Sequence, residues 1–168
     1  HNGILHDLLI DPLNQKDAPI IGSILTAKLQ NWNKSINGTF LTLPNSLRGF
    51  LKGDYYLPKH SIVPVYIGVL VAPEKAQPVS LKLILKGRTV ILTPNSPGIN
   101  VSRQIRSHTV RKNLLDIFEK IKEKLPENCG LIIRSCAAHA EVSDVVNEVN
   151  EKIDQYHLIA NDDLSEPR

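Results

Sequence analysis

The sequence predicts an α+β protein in which a run of short strands, enough for a small barrel, is followed by strands and two helices that share a second core. Three patterns lead there. About five short apolar runs separated by turn residues crowd into roughly sixty residues between Ile20 and Pro78. From Val110 the apolar spacing changes from strand-like alternation to a period of 3.6. Between the two helical stretches lies Gly130-Leu131-Ile132-Ile133-Arg134-Ser135, a short continuous apolar run of the kind a buried strand shows.

Taken in order, His1 to Ile10 alternates loosely and stops at Asp11-Pro12-Leu13-Asn14, a turn signature, which predicts a strand followed by a linker to Pro19. Ile20 to Trp32 and Gly38 to Leu43 are apolar-rich strands joined by the polar connection Asn33 to Asn37, so they should pair antiparallel. Arg48 to Leu51 and Ile62 to Val71 continue the series across an irregular loop, Asp54 to Lys59. After the loop Ala72 to Pro78, Val79 to Leu85 and Arg88 to Thr93 read as further strands, interrupted by Gly87, where a bulge or a close backbone approach is expected. Val110, Leu114, Ile117, Phe118 and Ile121 form one stripe of an amphipathic helix that Leu125-Pro126-Glu127-Asn128 ends. Val142, Val145, Val146, Val149, Ile153 and Tyr156 mark a second helix, and Asn161 to Arg168 reads as a polar, poorly ordered tail.

Composition bounds the function only loosely. The 168 residues suit one or two small domains, and 42% hydrophobic with 22% charged residues is the balance of an ordinary globule with a core. A net charge of +3 with pI near 8.9 permits nucleic-acid binding without requiring it. No apolar run approaches the ~20 residues of a membrane span, and no basic segment followed by an apolar block opens the chain. Without a methionine, and starting at His1 inside a strand-like run, the sequence reads as a fragment. Cys129 and Cys136 bracket one expected strand; at ~3.3 Å per residue they stand roughly 20 Å apart, beyond disulfide reach, which predicts free thiols and a reducing, cytoplasmic setting.

Two segments carry the chemistry. Lys86 to Arg103, Lys-Gly-Arg-Thr-Val-Ile-Leu-Thr-Pro-Asn-Ser-Pro-Gly-Ile-Asn-Val-Ser-Arg, and Gly130 to Ser135 both run a buried strand into small and cationic residues. Such a rim presents amides, hydroxyls and a guanidinium to an anion such as phosphate. These segments resemble the ribonuclease E and ribonuclease G family of bacterial endoribonucleases, especially its short alphaproteobacterial relatives. There a strand ending in a Pro-Asn-x-Pro loop and an Ile-Ser-Arg segment lead through a helix to Gly-Leu-Ile-Val-Arg-Thr. Val101-Ser102-Arg103 and Gly130 to Ser135 follow that order, with Ser135 keeping the hydroxyl of the usual threonine. Gly38-Thr39-Phe40 and Arg48-Gly49-Phe50-Leu51 resemble the family's RNA-binding barrel, so the resemblance runs from about Gly3 to Tyr156.

The resemblance implies an OB-type barrel at 22–78 inserted in a discontinuous ribonuclease-H-like α/β domain made of 2–21 and 79–160, with 161–168 as a tail. It implies single-stranded RNA as partner, with Phe40, Phe50 and Lys75 as its contacts, and these types suit the task because bases stack on aromatic rings while cations follow the backbone. Stacking requires free ring faces, so Phe40 and Phe50 are expected on one exposed face. By the same resemblance a 5′-monophosphate is held by Arg134, Ser135 and the backbone of Gly87, with Ile91 against the first nucleotide and Arg103 nearby. Phe40-Leu41-Thr42-Leu43-Pro44 stands where the family often has Phe-Val-Asp-Tyr-Gly, which implies weaker or less specific binding by the barrel.

Full-length family enzymes cut RNA with magnesium bound by two aspartates downstream of this element, and the chain ends before that position, so no catalytic or metal residue is assigned to it and no cofactor is expected in it. The family's Cys-Pro-x-Cys zinc link between subunits is also missing, although a homo-oligomer is left open. The six histidines have no metal-site spacing, and Asp162-Asp163 reads as a solvated pair. The rival reading is a non-catalytic RNA-binding or assembly module. A third, a hydrolase using Cys136 as nucleophile and His139 as base, is outweighed by a buried, inert Cys136.

Overall fold

A computed structural model describes residues 19–72, 74–161 and 167; the strand expected at His1 to Ile10, its linker up to Ala18, and most of the expected tail lie outside the described residues. Five strands, β1 (Ile24–Asn33), β2 (Gly38–Thr42), β3 (Arg48–Lys52), β4 (Ile62–Tyr66) and β5 (Gln77–Val79), form one sheet in the order β4-β1-β2-β3-β5. All its pairs are antiparallel except β3 with β5. The sheet curls until its two edges meet: Tyr66 and Ser80 exchange both backbone hydrogen bonds, at 2.8 and 3.1 Å. It is a half-barrel pinned at that bridge. Alternation along the strands turns Ala27, Leu29, Leu41, Leu51 and Val65 into a buried cluster and turns Phe40, Thr42, Arg48 and Phe50 the other way.

The connection between β1 and β2 is built from its asparagines. Asn33 accepts a hydrogen bond from the Ser35 amide at 2.9 Å, and Asn37 takes the left-handed conformation at φ 46°, which asparagine tolerates well.

The second sheet has the order β6-β7-β9-β8, from β6 (Leu85–Lys86), β7 (Val90–Thr93), β8 (Gly98–Val101) and β9 (Gly130–Ile133). β8 and β9 are parallel, joined by α1 (His108–Ile121); α2 (Val142–Ala160) follows β9. Val90, Leu92, Leu131 and Ile133 pack with Leu114, Phe118, Val145 and Val149 into the larger core, with Phe118 1% exposed. Both helices therefore lie on one face of this sheet. Ser107 caps α1 by accepting from the Val110 amide, which starts the helix two residues before its apolar stripe.

Several expected boundaries move. β1 begins at Ile24 rather than Ile20, because Ser23 turns back to the Ile20 carbonyl and Gly22 takes φ 93°. β4 stops at Tyr66, short of Val71. The strand expected from Val79 to Leu85 does not exist as one piece. Its alternation spans two cores: Val79 and Leu81 pack on the half-barrel cluster, whereas Leu85 belongs to the second core and the chain bends between them. β9 ends at Ile133, and Arg134 leads into a 3-10 turn, Ser135–His139. β8 answers to no expected strand: Ile99 and Val101 make it one by pairing beside Leu131 and Ile133. Among the described residues no helix is long and apolar enough to cross a membrane.

Candidate functional site

Two surfaces collect the residues picked out from the sequence. On the outer face of the half-barrel, Phe40 and Phe50 pair directly across β2 and β3. Both are half-buried, their ring centroids 5.5 Å apart and tilted by 55°, and the Arg48 guanidinium carbon lies 4.8 Å above the Phe40 ring. A tilted pair with a cation over one ring is an attractive arrangement in itself, worth about 0.5–1.5 kcal/mol for the rings. Partial exposure leaves ring surface for a further flat group. Arg48 was not singled out from the sequence; its position two residues before Phe50 on a strand, hence on the same face, is the signal that finds it. Lys75 is exposed on the turn before β5, the strand whose Pro78 pairs with Phe50.

The second surface is one end of the second sheet. β8 and β9 both finish there, and the β6–β7 turn lies beside them: Arg134 donates its amide to the Thr89 carbonyl and a guanidinium nitrogen to the Gly87 carbonyl, at 2.8 and 2.5 Å. Ser102 donates its amide to Ile133 at 2.8 Å, which brings the exposed Arg103 to the same end. Ser135 is half-buried and follows Arg134 directly. Ile91 pairs with Ile132 one step inside, both half-buried on the face opposite the helices. Arg111, reaching from α1, holds the Arg103 loop through the carbonyls of Ser102 at 2.7 Å and Ile105 at 3.3 Å.

Glu148 occupies the centre of this end. From α2 its carboxylate accepts from the amides of Arg88 at 2.5 Å, Thr89 at 2.7 Å and Val90 at 3.3 Å, and from the Thr89 hydroxyl. Burial raises its pKa, but the bonds from Thr89, Arg88 and Val90 outweigh that and hold the carboxyl below its ordinary value. Gly87 packs against this carboxylate with no room for a side chain: a Cβ there would come within 2.6 Å of it. The Gly87 amide itself donates to Val90 at 2.8 Å and its carbonyl receives Arg134. The amides of the turn are thus already committed, and what this end offers an incoming anion is side chains: the remaining Arg134 donors, Arg103, Arg88 and the Ser135 hydroxyl. Sequence reasoning missed Glu148, although an acid beside Val145 and Val149 on a sheet-facing helix stripe was a visible signal.

The cysteines are free. Cys129 is buried, which pushes its thiol pKa up against a smaller lowering by its hydrogen bond with Tyr156. Cys136, expected to be buried, is exposed, because the chain leaves β9 at Ile133 and turns outward. Among the described residues no hydrogen bond joins it to His139, and none of the acids, histidines and cysteines gather in groups of three or more that would hold a metal ion. The described residues therefore do not fit a magnesium centre.

Residues 84–167, half the chain, match the model of the Ribonuclease E/G family. No curated protein matches the chain.

Proposed function

The chain belongs to the ribonuclease E/G family, and on that premise we propose that it binds single-stranded RNA on the half-barrel and reads a 5′-monophosphate at the end of the second sheet. The observation that carries the RNA reading is the Phe40–Phe50 pair under Arg48: two adjacent rings with a cation suit a stacked base and its phosphate. Lys75, on the approach to β5, extends the positive track along the RNA backbone.

At the 5′ end the terminal phosphate meets Arg134, Arg103 and the Ser135 hydroxyl, with Ile91 against the first nucleotide. Arg134 spends one guanidinium nitrogen on Gly87 and keeps donors for a phosphate, since its fork carries five N–H groups. Gly87 acts here through its carbonyl, which anchors Arg134. In this reading 22–78 is an OB-type RNA-binding barrel and 79–160 belongs to a ribonuclease-H-like host, acting in the cytoplasm within a magnesium-dependent endoribonuclease. The alternative is a non-catalytic RNA-binding or assembly module. A downstream strand carrying paired aspartates separates the two.

The test is titration of short single-stranded RNAs that differ only in a 5′-monophosphate or a 5′-hydroxyl. The chain should prefer the phosphate, and Arg134→Ala should remove that preference, costing the phosphorylated RNA about 1.5–3 kcal/mol more than the other, as expected for a hydrogen bond to a charged group. Equal loss on both RNAs would make Arg134 a general contact or a structural cap.

A further inference from the structure

The concave side of the half-barrel carries a surface of its own. A cavity of about 420 Å³ opens at its mouth on the side opposite the phenylalanines, with Leu29, Thr39 and Leu51 as its floor. Trp32 and Tyr55 line it and are 42% and 45% exposed. Their positions result from two local irregularities. The register between β1 and β2 slips between Leu29, paired with Leu41, and Trp32, paired with Thr39: three steps on one strand meet two on the other. That bulge turns Trp32 to the concave side, where Leu29 and Thr39 point; regular alternation would have put it on the outer face beside Lys28. On the facing loop Gly53, at φ 114° and without a Cβ, lets the Tyr55 ring lie against it, since an added Cβ would be 3.1 Å from the ring.

Core packing accounts for neither ring, because large aromatics recruited to a core are covered, and these remain open on a cavity. The rest of the lining is specific. Gln30 and Asn31 border the cavity with amides that both donate and accept, and among the described residues that line it Lys59 supplies the charge, a cation. Flat apolar rings, amides and a single cation match a nucleobase, its polar edge and its phosphate. Thr39 and Phe40 are neighbours on β2 that point to opposite faces, so cavity and phenylalanine pair back onto the same strand, within reach of one RNA. Resting on the RNA-binding reading above, we propose that Trp32 and Tyr55 form a second base-stacking site, taking one nucleotide of single-stranded RNA into the mouth of the half-barrel with Lys59 at its phosphate.

Trp32 is the chain's single tryptophan, so its fluorescence reports on this cavity alone. The protein is titrated with unlabelled decauridylate while Trp32 emission is followed, and binding is measured independently by the anisotropy of a dye-labelled decauridylate. Emission should be quenched along the same isotherm. Trp32→Ala and Tyr55→Ala should each weaken binding roughly five- to 150-fold, the equivalent of one lost stacking contact. Lys59→Ala, at an exposed position, should weaken it while leaving thermal unfolding unchanged. Phe40→Ala should lower affinity yet leave the quench at saturation intact. Saturating anisotropy with unchanged Trp32 emission would overturn the second site and leave the phenylalanine face standing. No anisotropy change at all would overturn both. Quenching by a maltooligosaccharide but not by RNA would reassign the cavity to sugars.

Discussion

Glu148 does by a side chain what the sequence suggested a ligand would do. A strand ending in Lys86-Gly87-Arg88-Thr89 reads as an anion cradle, and the structure fills its amides with an anion of the protein's own. This ties α2 to the β6–β7 turn and fixes the carbonyl of Gly87 on which Arg134 rests. Because the Glu148 carboxyl is held below its ordinary pKa of about 4.5, its contribution to stability is present above that pH and is lost as pH falls through the folded value. Glu148→Gln should therefore cost stability at pH 7, by about 1.5–3 kcal/mol, and much less at pH 3. Urea midpoints of the two proteins at both pH values check this; an equal gap at both would mean that the charge contributes nothing. At the same scale, Cys136 illustrates what a strand pattern misses: the apolar run predicts burial up to its end, and only the outward turn after Ile133 exposes the thiol.

At the scale of elements, the parallel β8–β9 pair depends on a close approach. Gly130 begins β9 where the chain passes against Ser96 and Gly98: a Cβ there would overlap the Ser96 carbonyl oxygen and come 2.8 Å from that of Gly98. These are backbone atoms, which cannot rotate away as a side chain can. Gly130→Ala should thus destabilise the protein by about 1–3 kcal/mol, the usual cost of overpacking, read as a lower thermal unfolding midpoint. The loss should leave Phe40–Phe50 undisturbed, since they belong to the other sheet, so RNA affinity measured well below the midpoint should hold. Had the chain at 98–101 been a loop standing away from β9, an alanine at 130 would be tolerated. The split of the expected Val79 to Leu85 strand belongs here too. A period of two is the same whether successive residues enter one core or two, so alternation cannot report where the chain, once Ser80 has bridged Tyr66, leaves the first sheet for the second.

Across the whole molecule the modest net charge of +3 is less informative than where the cations lie. Arg48 and Lys75 belong to the half-barrel side, and Arg88, Arg103 and Arg134 to the end of the second sheet. A single strand touching both surfaces should bind with a salt dependence set by the phosphates it contacts. Lys75→Ala should weaken 5′-phosphorylated and 5′-hydroxyl RNA alike and lower the slope of log affinity against log salt by about 0.7, the value for one contact on a single strand. A loss confined to the phosphorylated RNA would instead move Lys75 into the 5′ pocket.

The α+β class, the antiparallel β1–β2 pair, both helices and the family are legible along the chain, because each rests on local signals: turn residues, a switch of hydrophobic period, and a short ordered motif such as Gly130 to Ser135. What those motifs touch follows only from how distant segments pack. That Glu148 rather than solvent or ligand fills the turn amides depends on a helix nearly sixty residues away docking on one face of the sheet. That Trp32 faces a cavity rather than the outer surface depends on one extra residue in a strand, and a bulge is defined only by the partner strand it fails to match. Periodicity carries information along the chain; register and docking exist only between segments, where burial and hydrogen bonding are settled together.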